Sequence, residues 1–248
     1  MLKSLTPGVI CLLLTPHLSY AACSDSPNPL VNWDGCDKQK KDFQKANLEG
    51  AVLKSVNFTQ SNLSKARLNN ADLGSANLME ANLNKIKAKK SRFVGAILKQ
   101  ATLNKARLTQ ATFDRADLSA AKINSSQLSN ASFYNATLNE ADISGSNFTQ
   151  SNFEQAKLIE TQATNTNFHQ AIFSNSILED GNFEGADFSK AKLDNSELSG
   201  ANFTNANLEG ADLHNADITG SDFTNAILDN ATWVNRKRCR PGSIGVCK

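Results

Sequence analysis

Side chains that do acid–base or covalent chemistry are few in this 248-residue chain, and they lie far apart. Past the first residues, two histidines remain, His169 and His214, separated by 45 positions. Imidazole is the usual proton carrier near neutrality and the commonest metal ligand, but a pair so separated is expected to be two solvated rings rather than a shared metal site. Five cysteines stand at 11, 23, 36, 239 and 247, and no two form a Cys-x-x-Cys pair. No glycine-rich loop is placed to cradle a phosphate. Asp and Glu are plentiful, yet they recur in step with a repeat described below and so have a structural reason. Sequons such as Asn57-Phe58-Thr59 arise from the same repeat. No catalytic, metal or cofactor-binding residue is assigned, and a non-enzymatic protein without cofactor is expected.

Charge is the exception. The net formal charge of +2 conceals a strong asymmetry. Residues 37–125 hold 17 Lys/Arg and 7 Asp/Glu, whereas residues 126–230 hold 3 and 15. From residue 231 onward the chain is basic again. The densest cluster is Lys85, Lys87, Lys89, Lys90 and Arg92. It reads either as the solvated surface of an irregular stretch or as a docking patch for an anionic partner, such as a phosphate-bearing lipid or polysaccharide. Basic and acidic halves also allow self-association of antiparallel copies. Both kinds of contact are expected to weaken with salt.

The first residues carry the marks of an export leader. Lys3 precedes the apolar run Val9-Ile10-Cys11-Leu12-Leu13-Leu14, and Ser19-Tyr20-Ala21 offers small residues for cleavage after Ala21 or Ala22. The run is too short for a permanent membrane span. Ala21-Ala22-Cys23 also has the form of a lipoprotein junction, with Cys23 as the lipid-bearing residue, although Tyr20 stands where an aliphatic residue is usual. A periplasmic or secreted protein is expected, with residues 1–22 as signal peptide.

The elements that hold these groups follow from a period of five. Phe43, Leu48, Leu53, Phe58, Leu63 and Leu68 begin a register that runs to Trp233 through 39 consecutive positions, where only Ala88 and Ala163 lack a large apolar side chain. Two positions earlier a small residue dominates, as at Ala46, Ala51, Ser61 and Ala66. The pattern is Ala-(Asn/Asp)-(Leu/Phe)-x-x. It fits neither a helix face nor a strand face, and such regularity also overrides the suggestion of disorder that 7% aromatic content would make.

Over residues 43–233 the chain resembles the pentapeptide-repeat family. The resemblance implies an all-β fold, a right-handed quadrilateral parallel β-helix in which four pentapeptides form each coil. About ten coils then stack into a solenoid about 45 Å long. The large residue points inward, with the small one beside it at the corner. Sorting by twenty residues places Phe93, Phe113, Phe133, Phe153 and Phe173 in one internal column. Residues 23–42 and 234–248 read as end caps. Four cysteines remain after leader removal and allow three pairings. Only Cys23–Cys36 with Cys239–Cys247 avoids joining opposite ends of a rod. Lipidation of Cys23 would leave Cys36 unpaired.

Function is then expected of surfaces: an exported structural or interaction scaffold facing a protein or an anionic envelope component, with nucleic acid not expected as a partner. The family resemblance offers an alternative, a DNA-mimicking protein that inhibits or protects a type II topoisomerase such as DNA gyrase. Against it stand the export leader, the paired cysteines and the basic half.

Overall fold

The computed structural model describes residues 22–248. The expected leader therefore lies, but for Ala22, outside the described residues.

Each five-residue unit has one extended residue that bridges to the next coil, followed two positions later by a two-residue turn. The bridges are parallel and join residues twenty apart, as in the column Asn32, Val52, Asp72, Arg92 and Thr112. Four units therefore make one coil. In a unit that carries Asn or Asp, every backbone N–H has a place to go, as buried amides require. Leu48 N–H donates to the Arg67 carbonyl (2.8 Å) and Gly50 N–H to that of Asn69 (2.9 Å), both in the next coil. Arg67 N–H donates back to Ala46 (2.9 Å), and Ala51 N–H closes the turn on Leu48 (3.2 Å). The fifth donor, after the large residue, finds the Asn/Asp side chain two positions before it: Thr59 N–H meets Asn57 Oδ1 at 3.1 Å. This is an Asx turn, and it is the physical reason for Asn or Asp in the repeat.

The turn's second residue has positive φ at every unit, for example Lys65 (62°), Gln100 (57°) and Asn195 (56°). Positive φ at the third residue of a hydrogen-bonded β-turn is the type II geometry. A corner at each unit leaves room for one bridging residue, so the described residues contain isolated bridges and no extended strand.

Bridging starts at Asn32, which pairs with Val52. Residues 31–42, assigned above to the cap, thus already form coil, with Trp33 and Lys38 in the inward register that precedes Phe43. The apolar register conceals this turn of coil, because Lys38 is a charged residue in a position otherwise apolar. Its stem is buried, its Nζ lies 3.9 Å from the centre of the Trp33 ring, and it donates to the Cys23 carbonyl. Burial lowers its pKa. The side chain closes the open end of the core with a cation–π contact.

The core is one continuous cluster. Phe93, Phe113, Phe133, Phe153 and Phe173 stack with centroids 4.6, 4.9, 4.8 and 4.7 Å apart, nearly parallel. A second file, Phe148, Phe168 and Phe188, stacks at 5.5 and 4.8 Å. It meets the first edge-on, as Phe148 does Phe153 at 5.3 Å, a favoured arrangement of ring quadrupoles. All 13 phenylalanines fall in the inward register. Where Ala88 and Ala163 interrupt it, Ile86 and Thr161 are buried in the neighbouring small-residue position, so bulk has moved two places along the unit. Buried hydroxyls there bond to carbonyls of the preceding coil, as Thr161 Oγ1 does to Leu138 (2.9 Å).

Both ends are tied. Cys23 and Cys36 are disulfide-bonded with Cα atoms 5.5 Å apart, as are Cys239 and Cys247 at 4.9 Å. The tail folds back antiparallel, bridging Thr232 to Arg238 and Ile227 to Ile244. Leu228 N–H donates to Ser243 (2.9 Å) and Trp233 N–H to Lys237 (2.7 Å). Edge donors that would recruit another chain are thereby occupied.

Candidate functional site

The coil geometry redistributes the basic cluster. Lys85 and Lys90 occupy successive corners, with φ of 60° at each. Lys87 bridges Arg67 below and Arg107 above, on the face between those corners. Lys89 lies on the turn beside Lys90, and Arg92 lies round the corner on the next face. This coil is regular rather than irregular, since the Ile86–Ala88 exchange preserves the core.

The larger feature is vertical. Lys45, Lys65, Lys85 and Lys105 occupy one corner in four consecutive coils, each exposed and each with φ near 60°. The backbone N–H of Lys65 and of Lys85 donates to the next coil at 2.8 and 2.9 Å, which stacks the corners directly. Beside this file runs a second, Arg67, Lys87 and Arg107. The two adjacent faces comprise residues 61–70, 81–90, 101–110 and 121–130, which contain nine Lys/Arg and no Asp/Glu. The other two faces of the same coils, residues 71–80, 91–100 and 111–120, hold three basic and four acidic residues. Charge is thus sorted by face as well as by half. Applying the twenty-residue step to charged positions, and not only to the core, would have found this ridge in the sequence.

Arg67 is partly neutralised by a two-bond contact with Glu49 (2.9 and 3.1 Å). Hydrogen bonds from Asn69 and Arg67 lower the Glu49 pKa. Lys85, Lys87, Lys89, Lys90 and Lys105 form no ion pair among the described residues. Asn69, Asn70, Lys89 and Lys90 line a shallow cleft of about 280 Å³. Arg67, Lys87 and Arg107 also occupy the position that supplies the Asx acceptor in Asn- or Asp-bearing units, as do Val52, Ile97, Lys157, Ile172 and Lys192 elsewhere on the rod. At Lys87 the orphaned donor, Lys89 N–H, is taken instead by Asn69 Oδ1 of the coil below (2.9 Å).

The histidines have separate environments. His169 Nδ1 lies 2.7 Å from Ser189 Oγ, and His214 Nδ1 lies 3.3 Å from Asp212 Oδ1. Among the described residues no group of three His, Cys, Asp or Glu is placed to hold a metal.

These features define a class first: a parallel-bridged solenoid with twenty residues per coil, whose outward chemistry is carried in vertical files. The sequence model of pentapeptide repeats matches in eight copies, from residues 42–74 to 196–232. The chain belongs to the pentapeptide-repeat family, whose known structures are right-handed quadrilateral β-helices. Solved structures similar to it include HetL, a pentapeptide repeat protein involved in heterocyst differentiation regulation from the cyanobacterium Nostoc sp. strain PCC 7120. That match has 24% identity over 86% of this chain and 93% of HetL, with a TM-score of 0.38. A pentapeptide repeat protein of the Arabidopsis thaliana thylakoid lumen is 28% identical over 36% of this chain and 66% of its own, with a TM-score of 0.30. QnrB1, a plasmid-mediated fluoroquinolone resistance protein, is 20% identical over 78% and 94%, with a TM-score of 0.34. Among curated proteins, none matches the sequence. Pentapeptide repeat proteins are typically non-enzymatic structural or interaction proteins.

Proposed function

We propose that this chain is an exported, non-enzymatic interaction scaffold, a right-handed four-sided rod of about ten coils that presents its basic ridge to an anionic partner. The observation that carries this reading is the ridge itself: nine Lys/Arg without one Asp/Glu over residues 61–70, 81–90, 101–110 and 121–130, with Asp42 and Glu49 confined to its first coil. A solvated surface has no need to exclude carboxylates from one pair of faces while mixing signs on the other. The export part rests on the leader-like first residues and on the two disulfides, which suit an oxidising compartment.

Charge reversal at Lys87, Lys89 and Lys90 is expected to abolish salt-sensitive co-sedimentation with an envelope fraction while leaving the denaturation midpoint unchanged. Unaltered co-sedimentation removes the ridge from the reading. Export is checked by the intact mass of the protein from fractionated cells, before and after reduction. A periplasmic species starting at Ala22 or Cys23 and gaining four hydrogens fits the two bridges. A full-length reduced cytosolic species overturns export, and a lipid-sized increment on Cys23 places the rod on a membrane.

A second reading, inhibition or protection of a type II topoisomerase by duplex mimicry, draws on the acidic half, where 15 Asp/Glu face 3 Lys/Arg. The basic ridge and the basic tip count against it. Supercoiling by DNA gyrase that is unchanged at a molar excess of the rod removes this reading.

A further inference from the structure

The two halves of the rod's C-terminal end are unequal, and the inequality is independent of the basic ridge. The tail covers only residues 226–235, two of the four faces, where it accepts from Leu228, Asn230 and Trp233 N–H. On the other two faces, residues 216–225, the N–H groups of Ile218, Gly220, Phe223 and Asn225 have no acceptor among the described residues, and the carbonyls of Ala216 and Ser221 have no donor. One coil below, the same positions are paired: Leu198 N–H donates to the Asp217 carbonyl (2.8 Å), and the Ala201 carbonyl accepts from Asp222 N–H (3.0 Å). Ile218 and Ser221 are half-buried, whereas Leu198 and Ala201 are buried. The covered half has an outward edge of its own. Arg238 and Ile244 stand in antiparallel pairs with Thr232 and Ile227, and the hydrogen bonds of those pairs run through the flanking residues. In such wide pairs the N–H and C=O of the paired residue point away from the partner strand, here beyond the end of the rod.

An edge of unmet backbone groups recruits another chain, and charge decides which. The tail carries Arg236, Lys237, Arg238, Arg240 and Lys248, with no Asp or Glu after Asp229. The open half presents Asp217 and Asp222, both exposed, one on each open face. None of these side chains forms an ion pair among the described residues. One end thus holds both sides of a complementary contact, which a two-fold axis across the rod brings together twice. The end is also stepped. The tail raises its half by one layer, about 4.8 Å, so that in such a pair each raised half fills the other's lower half. Joining the C-terminal end of one copy to the N-terminal end of the next fits less well. Residues 22–30 carry Asp25 and no Lys or Arg, and they would meet Asp217 and Asp222.

We infer that two copies of this chain join end to end through their C-terminal ends, each cap pairing with the other's open faces. The two basic halves then stand at the far ends of a double rod. The disulfide-intact protein is measured by sedimentation equilibrium and small-angle scattering. A dimer about 90 Å long, twice one rod, is expected. Asp217→Lys with Asp222→Lys is expected to weaken it at least about tenfold. Lysine already stands at this position of the unit at Lys87, which favours folding of the variant. Arg236→Glu with Arg238→Glu and Arg240→Glu is expected to do the same from the other side of the contact. Mixing the two variants is expected to restore a dimer, because each cap then meets an edge of opposite sign, a recovery that an unfolded variant does not give. If a reversal variant unfolds, Asp217→Asn with Asp222→Asn, which keeps the Asx acceptors, serves instead and is expected to weaken the dimer in the same direction. A monomer at every concentration up to about 0.1 mM overturns the inference. So does a dimer no longer than one rod, an open-ended head-to-tail polymer, or a dimer indifferent to both reversals. None of these outcomes bears on the basic ridge, which co-sedimentation tests separately.

Discussion

From residue 40 to 125 the corners are built mostly from Lys, Gln and Ser, with Gly at 50 and 95 and one Asn at 70; from 130 to 230 nine Asn and five Gly take the same place. The backbone is alike in both halves. A side chain held at φ near +60° costs about 1–2 kcal/mol unless it is Gly, with Asn better tolerated than most. The inward register differs too, with four phenylalanines in residues 37–125 and nine in 126–230. The acidic half therefore combines relaxed corners with a larger aromatic core. The basic half keeps strained lysine corners over a leucine core. Lysine at a corner is poorly suited to its backbone and well placed to meet a partner, which is how a surface under functional demand departs from the most stable sequence. The halves can differ so freely because five-residue registration keeps inward and outward positions apart.

The largest expected effect tests the cores. Phe153→Ala, in the middle of the stacked file, should cost about 3–5 kcal/mol in chemical denaturation. Leu103→Ala in the basic half should cost less, near the lower end of about 2–5 kcal/mol; equal losses would break the distinction between the halves. Native-state hydrogen exchange should likewise open the basic half first, since solenoid coils are stabilised chiefly by their neighbours.

Disulfide removal asks whether the ends matter more than the middle. Cys23→Ser with Cys36→Ser should lower stability by about 2–3 kcal/mol and raise exchange chiefly near Trp33 and Lys38. Uniform loss of protection along the rod would argue against local capping.

A steric test sits in the acidic half. A Cβ at Gly181 would lie 2.5 Å from a Phe183 ring carbon and 3.1 Å from the Leu178 carbonyl. Gly181→Ala, although it installs the family's usual residue, should cost about 1–3 kcal/mol by overpacking. A neutral result would show that the Phe183 ring can shift.

The corners provide a smaller effect of opposite sign. Gln100→Gly should stabilise the basic half by about 1 kcal/mol, whereas Asn195→Gly should change little. Equal gains would mean that corner strain does not separate the halves.

Acid provides the smallest. Hydrogen bonds from Thr219 and Thr224 hold the Asp217 and Asp222 carboxyls below their ordinary value of 3.8. Their contribution is complete above that value and is lost as pH falls through the lower folded-state values. Thr219→Val with Thr224→Val should flatten the acid limb of the stability profile near the C-terminal end. An unchanged limb would assign acid sensitivity elsewhere.

Much of this was legible without coordinates. The five-residue period separates inward from outward positions, because a large apolar side chain at one phase has only one place to go. Cysteine placement at the two ends was enough to name the bridges. Other features depend on residues that meet only across coils. Lys38 as the plug on Trp33 was hidden because the register was sought through apolar residues and so began at Phe43. The second aromatic file and its edge-on contact with the first require the angle between faces. Lys45, Lys65, Lys85 and Lys105 lie twenty residues apart, and no local window contains two of them. The period of five cannot by itself say how many sides close a coil; the positive-φ turn at each corner sets the bend, and the bend decides which charges share an edge.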